Sequence, residues 1–253
     1  MADPVAAHYR DVLAAHYTWM LGGDLERAAA EQHELLEGLG VSSPDRPDAV
    51  AVDLGCGPGP QTLALADMGY GSVIGIDTSQ ELLDELEAHT PARPAVQAIN
   101  MDLVDALPTV AGSASVEVVV CMRDTILHLP DRDAVTRLFG RVAESLATGG
   151  TFVLTYRDLT PELQGLERFL PVRSDEDRIM LCVLDYDRPG AVTVNDLVYT
   201  RDTEGWNLHK SSYEKLRLPP DWIEEQLAAA GLIVVEHLRK PSGMWSTVAQ
   251  TAT

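Results

Sequence analysis

Between Ala49 and Tyr156, short apolar runs alternate with helical stripes, and that alternation leaves few folds open to the chain. Strand-like runs stand at 49–54, 72–77, near 95–100, at 116–121 and at 151–156. Helical segments fill the intervals. One runs from Pro60 to about Met68, and one carries the stripe Leu82, Leu83 and Leu86 behind a capping box, Thr78-x-x-Glu81. A third, 131–147, opens at Asp131 and closes before Gly149-Gly150. The run Val116-Glu117-Val118-Val119-Val120-Cys121 is nearly all apolar, as a strand covered on both faces requires. Strand–helix–strand repetition of this kind builds a parallel sheet with helices on both faces.

The flanks differ. Residues 4–21 read as an amphipathic helix with Val5, Tyr9, Val12, Leu13, His16 and Met20 on its stripe, broken by Gly22-Gly23. Asp24 caps a second helix that stops at Gly40. After Asp158, segments 178–187, 191–200 and 206–218 alternate as strands. Asp187-Arg188-Pro189-Gly190 and Asp202-Thr203-Glu204-Gly205 turn between them, which reads as an antiparallel meander. A helix near 220–230 and strands 232–239 and 244–250 return the chain to the main sheet. The expected division is a helical lid at 1–47, a core at 48–158, a β insertion at 159–218 and a completing segment at 219–253.

At 253 residues the chain suits one elaborated domain. Its net charge of −20, with no basic patch, argues against a general nucleic-acid binder. The acidic surface suits a small neutral or cationic ligand, or serves solubility alone. Cys56, Cys121 and Cys182 form no Cys-x-x-Cys pair, so no metal site is expected. No basic leader with an apolar core opens the sequence, and no run of about 18 apolar residues could span a membrane. A cytoplasmic protein is expected, and a homodimer stays open.

Val52-Asp53-Leu54-Gly55-Cys56-Gly57-Pro58-Gly59 joins the first strand to the helix at Pro60. Its glycines let backbone approach a ligand closely. A dinucleotide loop places its third glycine one residue later, where Pro60 stands, so the spacing favours a ligand with an amine and a ribose over a diphosphate. Asp77 ends the second strand, 22 residues after Gly55, where a carboxylate can accept both ribose hydroxyls; a helix cap is the alternative. Asp102 follows the third strand, either receiving an adenine amine beside Leu103 or capping a turn.

Asp-Leu-Gly-x-Gly-x-Gly, with Asp77 and Asp102 behind it, resembles the first motifs of class I S-adenosylmethionine (SAM)-dependent methyltransferases. Residues 121–131, Cys-Met-Arg-Asp-Thr-Ile-Leu-His-Leu-Pro-Asp, resemble the segment after the fourth strand in the small-molecule members. The resemblance covers about 48–158 and the final helix and hairpin. It implies a doubly wound α/β fold: a seven-stranded, mostly parallel sheet ending in an antiparallel hairpin, with N-terminal helices and an inserted meander. It also implies a SAM site made of Asp53, Gly55, Cys56, Gly57, Gly59, Asp77, Thr78, Asp102, Leu103, Cys121 and Tyr17. Asp53 is read as fixing the loop and meeting the amino group of the methionine moiety. Pro60 replaces the more usual residue after the glycines, and Asn-Pro-Pro-Tyr, the signature of many nucleic-acid and protein-glutamine methylating relatives, is absent.

The implied reaction is in-line transfer of a methyl group to an oxygen or nitrogen of a small molecule, such as a natural-product intermediate. His128, four residues beyond Asp124, is a base or a structural post; His16 and Tyr213 are the other catalytic candidates. Trp19, Arg123, Arg157, Tyr186 and Lys215 are candidates for acceptor binding, with Arg157 expected to pair locally with Asp158. Alternation puts Tyr213, Lys215 and Arg217 on one strand face. Two other readings stay open: a SAM-binding regulator without transfer activity, and a nicotinamide-dependent oxidoreductase, which the glycine spacing disfavours.

Overall fold

The computed structural model describes residues 4–252, with Pro4 by its backbone alone. Five parallel strands form the centre of the main sheet: β1 (Val50–Leu54), β2 (Ser72–Asp77), β3 (Val96–Asn100), β4 (Val116–Cys121) and β5 (Leu146–Arg157). With β10 (Ile233–Arg239) and β11 (Met244–Gln250) the order is β10-β11-β5-β4-β1-β2-β3, seven strands. β11 runs antiparallel to both β5 and β10. Strand order reverses at β1, which pairs with β2 on one side and β4 on the other. A ligand crevice forms outside the carboxyl ends at such a reversal.

Helices cover both faces, as the apolar strands demand. Val118, Val120 and Val153 pack under α3 (Leu25–Gly38) and α4 (Pro60–Asp67) through Leu36, Ala64 and Leu65, with Leu39 just past the end of α3. On the other face, Val119, Phe152 and Leu154 meet α6 (Leu103–Val110), α7 (Arg132–Ser145) and α8 (Pro220–Ala229). Leu138 and Phe139 of α7 are fully buried there, and truncating Phe139 to Ala would cost about 3–5 kcal/mol. Asp24 and Asp131 cap α3 and α7 by accepting from Arg27 N and Ala134 N.

Several local readings shift. The cap of α5 (Gln80–Ala88) is Ser79, whose Oγ accepts from Leu82 N, while Thr78 stands outside the helix. α6 emerges from a segment whose Pro108 hides its helical character. β5 begins at Leu146, so Gly149-Gly150 lie inside the strand; a Cβ on Gly150 would press within 2.8 Å of Ala147 O. The first helix is interrupted: α1 (Pro4–His8) passes through a π turn (Tyr9–Leu13) into α2 (Ala14–Met20).

The inserted segment is a second, antiparallel sheet of order β6-β7-β8-β9: β6 (Phe169–Ser174), β7 (Arg178–Arg188), β8 (Ala191–Asp202) and β9 (Gly205–Leu216). β6 has no counterpart in the expected meander. Period-two alternation aims Val192, Val194, Asp196 and Val198 inward. Their partners across the ladder are Lys215, Tyr213, Ser211 and His209. Leu13 and Trp19 pack against Met180 and Val198, fixing the N-terminal helices on this sheet. Among the described residues no helix is long and apolar enough to cross a membrane.

Candidate functional site

A cavity of about 730 Å³ lies at the carboxyl edge of the main sheet, between it, the N-terminal helices and the β8–β9 hairpin. Its floor is the loop after β1. Gly55 N and Cys56 N both donate to Ile76 O, which folds the loop back over the end of β2. Gly55 has φ +71°, and a Cβ there would strike Thr125 Cγ2 at 2.2 Å. Gly57, φ +54°, turns its open side toward Tyr17, 3.6 Å from where a Cβ would stand. Only glycine leaves that surface bare for a ligand.

Asp77 lines the cavity and anchors the loop. Its Oδ2 accepts from Gly57 N at 2.8 Å and its Oδ1 from Ser79 N at 2.9 Å. Burial raises its pKa despite those bonds. Thr78, Met101, Asp102 and Leu103 continue the wall, and Asp102 also caps α6 by accepting from Val104 N. Asp53 stands behind the loop, accepting from Thr62 Oγ1 at 2.7 Å, and burial pushes its carboxyl up to about 7. Cys56 and Cys121 are buried away from the cavity lining, and burial raises both thiols.

The opposite wall is aromatic and then charged. The Tyr213 ring lies between two imidazoles, 4.3 Å from that of His8 and 5.4 Å from that of His128, the latter stacked at 16°. His8 Nε2 lies 3.1 Å from Asp196 Oδ2 in the interior of the second sheet. His128 closes a 3-10 turn (Thr125–His128). Burial first, and then the charge of Lys215, push it down to about 3, so the imidazole is neutral at ordinary pH. Tyr9 completes the group, its ring 5.9 Å from Tyr17 and 6.0 Å from His128.

Arg123 leaves β4 with φ +59°, its N–H held by Thr155 Oγ1 at 2.6 Å. That left-handed residue, strained for a non-glycine, directs Asp124 toward the second sheet. Asp124 accepts from Arg157 N, Arg157 Nη1 and Lys215 Nζ. Burial alone would raise it, but the charges of Lys215 and Arg157 prevail and hold it below the ordinary carboxylate range. Arg157 therefore pairs with Asp124, not with Asp158 as the sequence suggested; Asp158 accepts from Thr160 instead.

The structure brings Tyr17, Gly55, Gly57, Asp77, Thr78, Asp102, Leu103, His128, Tyr213 and Lys215 into one lining, and adds Val5, Tyr9, Thr125, Arg188, Thr193, Ser212 and Glu214. Other expected residues lie elsewhere. Trp19 donates to Asp175 Oδ2 under the guanidiniums of Arg173 and Arg178, an anchor between helix and sheet. His16 faces His209 at 6.5 Å, and Tyr186 lies under Arg217. Gly59 caps α4, where a Cβ would meet Leu86.

Residues 51–150 match the family described as a methyltransferase domain. A curated relative, an uncharacterized 37.1 kDa protein in transposon Tn4556 of Streptomyces fradiae, is 34% identical over 120 residues. That match takes in 45% of this chain and 34% of the relative, so the chain spans about a third of the relative's length. Among solved structures, the CcbJ methyltransferase from Streptomyces caelestis aligns over 99% of this chain and 97% of its own, with TM-score 0.73 and 20% identity. The sugar N-methyltransferase KedS8 from a Streptoalloteichus species aligns over 95% and 93%, with TM-score 0.70 and 19% identity. Residues 51–150 are thus similar to a methyltransferase domain, and the sheet order is the fold of solved SAM-dependent methyltransferases. The matching segment lies between the N-terminal helices and the second sheet.

Proposed function

We propose that this protein transfers a methyl group from SAM to a nitrogen or oxygen of a small polar molecule. The observation that carries the reading is the single cavity joining Gly57, Asp77 and Asp102 to the wall of Tyr9, His128, Tyr213 and Lys215. The residues fit the donor. Asp77 lines the cavity where a carboxylate can meet a pair of hydroxyls, Gly57 presents bare backbone, and Met101 and Leu103 give an apolar slot beside Asp102. SAM supplies an electrophilic methyl on a cationic sulfur.

The chain's own part is alignment and the exclusion of water. Tyr9 and Tyr17 roof the junction between donor and acceptor ends. A neutral His128, its pKa near 3, cannot store a proton at neutral pH, but its ring can accept a hydrogen bond from the acceptor and orient it. Such a site suits an amine in its free-base form, which needs no strong base. The sugar N-methyltransferase with the same fold supports a nitrogen on a sugar-like acceptor.

Calorimetric titration with SAM, S-adenosylhomocysteine and NAD tests the reading. Both sulfur ligands should bind, NAD should not, and Asp77→Ala should weaken them at least about tenfold, roughly the loss of one charge-assisted contact. Binding of NAD with no response to either sulfur ligand would overturn it.

A further inference from the structure

We infer that Lys215 forms an anion-recognition subsite at the acceptor end of the cavity, and that the methyl acceptor carries a carboxylate or phosphate group set against it. This rests on the reading of the cavity as a methyl-transfer site. Its basis is a charge imbalance. Asp124 offers one negative charge to two cations: Oδ2 accepts from Arg157 Nη1 at 2.5 Å and from Lys215 Nζ at 2.8 Å. Oδ1 accepts from Arg157 N–H at 3.0 Å. Arg157 alone would neutralise that carboxylate, so Lys215 leaves the cluster with an excess positive charge.

Geometry sends the excess inward. The Arg157 side chain is 59% exposed and its charge is shared with solvent, whereas that of Lys215 is 12% exposed and lines the cavity. A lysine ammonium has three donors. One goes to Asp124, and among the described residues no other hydrogen-bond partner is present; the Tyr213 ring, 5.9 Å away, offers a face rather than an acceptor. The neighbouring carboxylates face partners of their own: Asp196 lies against His8 Nε2 at 3.1 Å and Glu214 is held by Arg188 at 2.8 Å, while His128 and Tyr213 are uncharged near neutral pH.

A mostly buried ammonium with donors to spare is a ready partner for a ligand anion. In a chain of net charge −20 it also makes this end of the cavity a local exception, attractive to anions that the rest of the surface repels. A carboxylate or phosphate oxygen would take the remaining donors in charge-assisted bonds and hold the nucleophilic atom at a fixed distance from the donor end.

The test is calorimetric, on protein saturated with S-adenosylhomocysteine. A hexosamine phosphate, a hexuronate and the unmodified hexosamine are titrated into the wild type, Lys215→Met and Lys215→Arg. At least one anionic probe should bind the wild type about tenfold or more tighter than the neutral sugar, and the two anionic arms separate phosphate from carboxylate recognition. Lys215→Met should erase that preference, Lys215→Arg should keep most of it, and the affinity for S-adenosylhomocysteine should be the same in all three. No preference in the wild type, binding of none of the probes included, overturns the inference, as does a preference that survives Lys215→Met. Failure of the wild type to take up S-adenosylhomocysteine at all sinks the methyl-transfer reading instead.

Discussion

Asp53 and His128 are both buried and titrate in opposite senses. The Asp53 carboxyl, about 7 in the fold against an ordinary 3.8, binds its proton more tightly when folded. The stability this lends is full below about 4 and is lost as pH rises toward 7. His128, about 3 in the fold against 6.5, works the other way: the unfolded chain takes the proton, and stability is lost as pH falls from 6.5 toward 3. Between about 4 and 6.5 the two slopes cancel, each being about 1.4 kcal/mol per pH unit. Asp53→Asn removes one slope and leaves the other. Urea unfolding should then show the variant gaining stability against the wild type from pH 4.5 to 6.5, by about 1–3 kcal/mol. Parallel profiles would mean that Asp53 is ionised in the fold throughout.

The element that decides the roof of the cavity is the π turn between α1 and α2. Two α-helical turns take about 7.2 residues, so Tyr9 and Tyr17, eight apart, would diverge on a regular helix. The extra residue of a π turn restores their common face, and such turns recur at functional sites. Deleting Asp11, an exposed residue within it, should let the helix run regularly and swing His8 and Tyr9 off the Tyr213 wall. We expect unchanged far-UV circular dichroism with acceptor turnover down at least about tenfold. Equal turnover would show that Tyr9 is dispensable. This turn also marks where the sequence stopped being legible. The strand–helix series could be read because its signals are local: apolar runs, Asp24 and Asp131 as caps, Gly22-Gly23 as a break. Tyr9 was visible only as a stripe residue, since nothing local announces a π turn. β6 and α6 were obscured by Pro171 and Pro108. The Asp124–Lys215 contact spans 91 residues, and Arg188, Thr193 and Glu214 gain their meaning only once the second sheet closes over the first.

At the scale of the molecule, the cavity lies between two sheets that share no hydrogen-bonded strand among the described residues. α1, the π turn and α2 bridge them, contacting β9 on one side and α5 on the other. A ligand seated across the main-sheet edge and roofed by those helices stabilises the assembly by mass action. Saturation with S-adenosylhomocysteine at about 100 times its Kd should add about 2.7 kcal/mol and raise Tm by roughly 5–10 °C, read by calorimetry, with no shift from NAD. An unchanged Tm at demonstrated saturation would mean that the unfolding unit excludes the donor half. The separate pairing of the two sheets has a further consequence. Thr193, Ser212, Glu214 and Lys215 all sit on the β8–β9 hairpin, whose ladder lies within its own sheet, and Arg188 ends the neighbouring β7. That hairpin is a cassette: side chains on it can be exchanged without moving the register of the main sheet that carries the other wall of the cavity.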